Sequence, residues 1–103
     1  MEKASVTRYS ILEDFRYPTE GISSQALLNS GGGKAILYVF AQGAELKTHK
    51  ANSDVLVVIQ EGTATITLEE ETFEALHGTC VVFKEGQLHS LKANEPFKML
   101  LIK

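Results

Sequence analysis

From residue 30 onward, β-branched and aromatic residues gather in runs of five to eight, broken by glycine or by polar pairs. That is the pattern of short strands with turn punctuation. Helical periodicity is nearly absent. Lys34 to Ala41 is apolar on both pleat faces, as a central strand covered on both sides would be, whereas Thr63 to Leu68 alternates and is expected to be half exposed. Further strands are expected at Ile22 to Asn29, Val55 to Gln60, Thr72 to Leu76, Thr79 to Phe83, Leu88 to Ala93 and Phe97 to Ile102. Gly31-Gly32-Gly33 reads as a turn. It is not a phosphate-cradling loop, because such loops open onto a helix N-terminus and strand-like residues follow Gly33. The short connections leave no room for crossover helices, so the sheet is antiparallel and the fold class is all-β, a sandwich or a small closed barrel. Residues 10 to 16 can form one helical turn, with Ser10 as N-cap and Glu13 three residues on, ended by Pro18. Residues 1–20 are expected to be an edge covering or lid.

Composition narrows the classes of function. A chain of 103 residues that is 44% hydrophobic fits a single domain. The net charge of −3 is spread along the chain with no basic stripe, which argues against a nucleic-acid partner. Apolar runs such as Ile36 to Ala41 fall well short of the roughly 20 residues a membrane-spanning helix needs. The start, Met1 to Arg8, mixes charges where a secretory signal would have a basic end and an apolar block. The expected location is therefore cytoplasmic. Cys80 is the sole cysteine, which excludes an internal disulfide and suits a reducing compartment; within Cys80-Val81-Val82-Phe83 it is expected to be a buried core thiol.

Two stretches resemble the paired motifs of the cupin superfamily, together spanning roughly residues 43 to 94. The first has Gly43, five residues, His49, then Lys50-Ala51-Asn52-Ser53-Asp54, closing at Gly62. The second has Gly78, five residues, Lys84-Glu85-Gly86, two residues, His89, with Asn94 a little late; the family pattern has proline in place of Lys84. The resemblance implies one cupin domain over residues 1–103, a double-stranded β-helix or jelly-roll-like barrel, with His49 and His89 aimed into one cavity. In metal-binding cupins the site usually has three histidines and a glutamate; here Ala51 stands at the second histidine position and Val55 at the acid position. Asp54 is one residue away, and a one-residue shift turns a side chain to the opposite face unless a bulge intervenes. His77 precedes the Gly78 turn and is expected at the far end of the barrel, a strand length of roughly 17 Å away.

The expected pocket is lined by His49, His89, Val55, Val57, Tyr38 and Gln87, with Lys47 and Glu45 close by in sequence. The leading expectation is a binder of a small organic molecule held in the barrel. Two alternatives stay open at this level. One is a metal-dependent enzyme of the oxygenase or isomerase sort, as the resemblance to catalytic cupins implies, in which His49 and His89 hold iron, zinc, manganese or nickel. The other is a dimeric sensing or interaction module. Glu69-Glu70-Glu71 reads as a solvated hairpin tip. Val55, Val57, Ile59 and Phe97, Met99, Leu101 read as barrel filling. Leu56, Val58, Leu100 and Ile102 face outward and are expected to cover a partner in a twofold homodimer.

Overall fold

Alternation of apolar and polar residues resolves into nine strands in the computed structural model, which describes residues 6–103. They are β1 Ile22–Ser30, β2 Gly33–Phe40, β3 Glu45–Lys50, β4 Val55–Glu61, β5 Ala64–Leu68, β6 Glu71–Ala75, β7 Cys80–Phe83, β8 Leu88–Ala93 and β9 Phe97–Ile102. Strands β1-β2-β9-β4-β7 form one sheet and β3-β8-β5-β6 the other, in those orders. Every paired neighbour is antiparallel. The result is a small antiparallel barrel of jelly-roll type. Its filling comes from the inward faces of both sheets: Phe40, Val57, Ile59, Phe97 and Met99 from the first, Ala64, Ile66, Ala75, Leu91 and Ala93 from the second. Phe40 and Phe97 stack with centroids 4.2 Å apart. Each fully buried side chain of this size stabilises the fold by about 1.5–3 kcal/mol.

Three expectations are corrected. The central strand of the five-stranded sheet is β9, with β2 one place from the edge. Strand β3 was not anticipated, because Glu-Leu-Lys-Thr-His-Lys buries only Leu46 in part and shows no apolar alternation. Cys80 is exposed: it opens β7, an edge strand, on the outward parity shared with Val82, while Val81 and Phe83 point in. The acidic run forms the exposed tip of the β5–β6 hairpin, as expected. Glu69 adopts φ 54° at the β5–β6 turn, and its Oε1 accepts a hydrogen bond from the Leu88 amide at 3.1 Å.

Gly62, between β4 and β5, has φ +81°, and a Cβ there would lie 2.2 Å from the Pro96 carbonyl oxygen and 2.7 Å from Phe97 Cβ. Only glycine lets the chain reverse against the start of β9.

Ahead of β1, the chain crosses the outer face of the five-stranded sheet. Of the segment expected as a covering, residues 1–5 lie outside the described residues. The rest contains one turn: Asp14 N donates to Ser10 O at 2.9 Å, Glu13 N to Ser10 Oγ at 3.2 Å, and Ser10 N to Asp14 Oδ2 at 2.7 Å. Ser10 caps as expected, but Asp14 rather than Glu13 returns the bond. This turn is fastened by Lys98, which is 1% exposed. Its Nζ donates to the carbonyls of Ile11 at 2.8 Å and Leu12 at 3.1 Å, pairs with Glu61 Oε1 at 3.7 Å and sits 5.0 Å from the centre of the Tyr17 ring. The Tyr17 hydroxyl donates to the same Glu61 oxygen. Burial, then the hydrogen bond and charge of Glu61 and the charge of Glu95, hold the Tyr17 phenol well above its usual range.

Candidate functional site

Whether His49 and His89 can meet depends on the pairing of β3 with β8. Glu45 faces Lys92 and Leu46 faces Leu91, but the register then slips by one, so that His49 faces His89. A bulge in β3 around Lys47 and Thr48 supplies the extra residue. Its consequence is geometric: Leu91 and His89 are two apart and share a face, whereas Leu46 and His49 are three apart and would face opposite ways on a regular strand. The bulge turns His49 to the side that His89 occupies. The ring centroids are 4.1 Å apart at an interplanar angle of 62°. On its other side His89 stacks on Phe83, 4.3 Å between centroids at 17°. His49 is the last residue but one of β3, and His89 is the second residue of β8.

Both imidazoles are held in the same way. His49 Nδ1 lies 2.9 Å from the Lys47 carbonyl oxygen and His89 Nδ1 lies 3.3 Å from that of Gln87. A carbonyl only accepts, so in the neutral rings each Nδ1 carries the proton and each Nε2 is left as an acceptor. His89 is 5% exposed. Burial, which disfavours the charged ring, together with the neighbouring charge of His49 outweighs the hydrogen bond to Gln87 and lowers its pKa below the ordinary 6.5. The paired site therefore presents a neutral His89 at neutral pH.

A hollow of about 130 Å³ opens beside the two rings, lined by Tyr38, His49, Lys50, Ala51, Asn52, Ser53, Val55, His89, Leu101 and Lys103. Its charged lining is the two lysines, and no carboxylate contributes. Of the residues expected at the pocket, His49, His89, Tyr38 and Val55 are in this lining. Val57 is not: it is fully buried, one pleat deeper than Val55. Nor is Gln87, whose Oε1 accepts from the Lys84 amide at 2.8 Å and so braces its own turn. Glu45 pairs across the strands with Lys92. Lys47 contributes its carbonyl to His49.

Asp54 does not rescue a ligand set. Its Oδ1 accepts from the Glu85 amide at 2.8 Å and its Oδ2 lies 3.7 Å from Lys84 Nζ, which ties two loops together. His77 is exposed in the turn before β7, at the opposite end of that strand from Phe83, the residue against which His89 stacks. Among the described residues no group of three or more His, Cys, Asp or Glu side chains could hold a metal ion. Two imidazole nitrogens fall short of the three or more protein ligands of a stable zinc-type site, so the residues present do not fit a resident metal. The lining residues that sequence reasoning missed, Lys50, Ala51, Asn52, Ser53 and Lys103, belong to the end of β3, the loop after it and the residue following β9, where no strand pattern points inward. Leu101 was read only as filling.

Comparison with known proteins agrees with this architecture. A conserved Streptococcus pyogenes protein of unknown function shares 27% identity and superposes with a TM-score of 0.83, covering 99% of this chain and 88% of that one. A cupin superfamily protein from Desulfitobacterium hafniense gives 25% identity and a TM-score of 0.77 over 89% of this chain and 83% of that one. A cupin 2 conserved barrel domain protein from Leptotrichia buccalis gives 27% and 0.82 over 91% of this chain and 46% of that one. No sequence among curated proteins matches at a significant level. Among the described residues no helix is long and apolar enough to cross a membrane. The AraC-like ligand binding domain profile matches residues 36–103, which takes in every strand from most of β2 to β9 and both histidines, and the chain therefore belongs to that family as a small cupin domain.

Proposed function

We propose that the chain binds a small hydroxylated organic acid at the mouth of its barrel, without a metal and without changing it chemically. The observation that carries this reading is the pair of imidazoles with both Nδ1 atoms committed to backbone carbonyls. Two Nε2 acceptors on rings whose centroids lie 4.1 Å apart suit neighbouring hydroxyl groups, and Lys50 and Lys103 in the lining suit a carboxylate. Tyr38, Val55 and Leu101 supply apolar contact. The hollow is small, about 130 Å³, below the 300–1,000 Å³ of drug-sized sites, which restricts the occupant to a molecule of few heavy atoms.

A thermal-shift screen over sugars, hydroxy acids and aromatic metabolites tests this. Hydroxy acids should stabilise the wild type and lose that effect in His49→Ala, a safe variant because His49 is exposed. Stabilisation that persists undiminished in His49→Ala would overturn the proposal. Elemental analysis of protein purified without chelator addresses the enzyme alternative, which requires near-stoichiometric metal lost in a His49→Ala, His89→Ala double variant. Such a result would replace the binder reading.

The outer face of the five-stranded sheet supports a twofold homodimer as well. Val82 at 48% and Ile102 at 40% exposure stand beside half-buried Leu56, Val58 and Leu100, an apolar patch with nothing over it among the described residues.

A further inference from the structure

A larger hollow lies on the opposite side of the first sheet from the histidines. It has a volume of about 240 Å³ and sits between the N-terminal turn and the outer face of β1 and β2. Its floor is Leu37 and Val39, which are 0% and 3% exposed although neither belongs to the barrel's core cluster. Cross-strand pairing puts Gln25 opposite Leu37 and Ser23 opposite Val39, so these four side chains share one face. Phe15 and Arg16 of the turn form the facing wall.

The lining combines two chemistries. Half-buried Phe15 and the edge of Val39 offer the accessible apolar surface, with Leu37 packed beneath them. Arg16, exposed and without an ion pair among the described residues, offers a planar cation suited to a carboxylate, and Ser23 and Gln25 add a hydroxyl and an amide group. Asp14, the other charged member of the lining, is committed through Oδ2 to the Ser10 amide. The wall itself is fixed, since the carbonyls of Ile11 and Leu12 are bonded to the buried Lys98 ammonium. Space is adequate: a cavity of about 150 Å³ already holds a benzene ring.

We propose that this hollow is a second binding site, for a small apolar ring that carries one carboxylate, with Arg16 receiving the anion and the ring resting against Phe15 and the edge of Val39. It is separate from the barrel mouth, with which it shares no lining residue. Occupancy would add contacts across the seam between the turn and the sheet, and so link a ligand on the outer face to the docking of the N-terminal segment.

Amide-resolved NMR titration with benzoate tests the proposal, with neutral benzamide as the comparison. Saturable shifts are expected at residues 14–16, 23–25, 37 and 39. Arg16→Gln should weaken benzoate at least tenfold and change benzamide by less than twofold; the exposed side chain makes loss of folding no concern. Absence of a saturable shift at those residues would overturn the proposal, as would benzoate shifts confined to the neighbourhood of His49 and His89. Equal benzoate affinity in Arg16→Gln would overturn it too.

Discussion

Replacing Lys98 by methionine should free the N-terminal turn while leaving the barrel folded. Methionine keeps most of the buried volume of a side chain that is 1% exposed, and the cost of removing one partner of an ion pair, about 3–5 kcal/mol when both are buried, is reduced here because the other partner reaches water. Glu61, with 39% of its side chain exposed, can be rehydrated and keeps its bond from Tyr17. What is lost is local: two charge-assisted hydrogen bonds to the Ile11 and Leu12 carbonyls, at 2.8 and 3.1 Å. Each contributes about 1.5 kcal/mol, the low end of the range because the carbonyls regain water. The sum, about 3 kcal/mol, is roughly two decades in the opening equilibrium at about 1.4 kcal/mol per tenfold. Limited trypsin digestion reads this directly, since Arg16 lies in the segment and cleavage tracks the open population when reclosing is fast. Cleavage after Arg16 should rise about a hundredfold in Lys98→Met, with the urea midpoint of the barrel little changed. A rise of less than threefold, or one that only follows global unfolding, would refute the fastening role of Lys98.

Other outcomes follow from the same contacts. Gly62→Ala should cost at least twice as much in urea denaturation as Gly43→Ala: both have φ +81°, worth about 1–2 kcal/mol of strain for an alanine, but only at Gly62 does a Cβ meet backbone at 2.2 Å. Because the folded pKa of His89 lies below 6.5, the unfolded chain binds more protons just under that pH. The His89 contribution is thus fully present above about pH 6.5 and lost as pH falls through the lowered value. His89→Phe, which preserves the stack on Phe83, should flatten stability against pH just below the ordinary histidine value of about 6.5; an unchanged slope would contradict the assignment. A charge at Val58 should dissociate the proposed homodimer in sedimentation velocity, and an unaffected assembly would exclude that face.

How much of this was legible in the sequence varies with position. Eight of the nine strands stand out because one face or both must be apolar where they line the core. Strand β3 escaped because it is the edge of its sheet at the rim, where both faces meet water and only Leu46 carries the pattern. The resemblance to cupins, carried by the glycine and histidine spacings, implied that His49 and His89 share a cavity. The bulge that actually brings His49 round to His89 falls at Lys47-Thr48, which has no glycine or other mark of irregular backbone. Cys80 and Lys98 show the complementary error. Parity along a strand tells which residues share a face but not which face is covered: the outer side of β7 is open, leaving Cys80 exposed, while the outer side of β9 at Lys98 lies beneath the N-terminal turn. Gln87 was near the histidines along the chain, yet its side chain closes its own turn, a local competition that spacing does not reveal.

The paired imidazoles are the centre of this account, and nitrogen-15 NMR of the histidine rings measures their state most directly. At pH 7.5 the account predicts a neutral His89 ring with its proton on Nδ1 and Nε2 showing the shift of a bare acceptor nitrogen, and the same Nδ1–H tautomer for the neutral form of His49. Protons on Nε2, or a charged His89 at that pH, would contradict it.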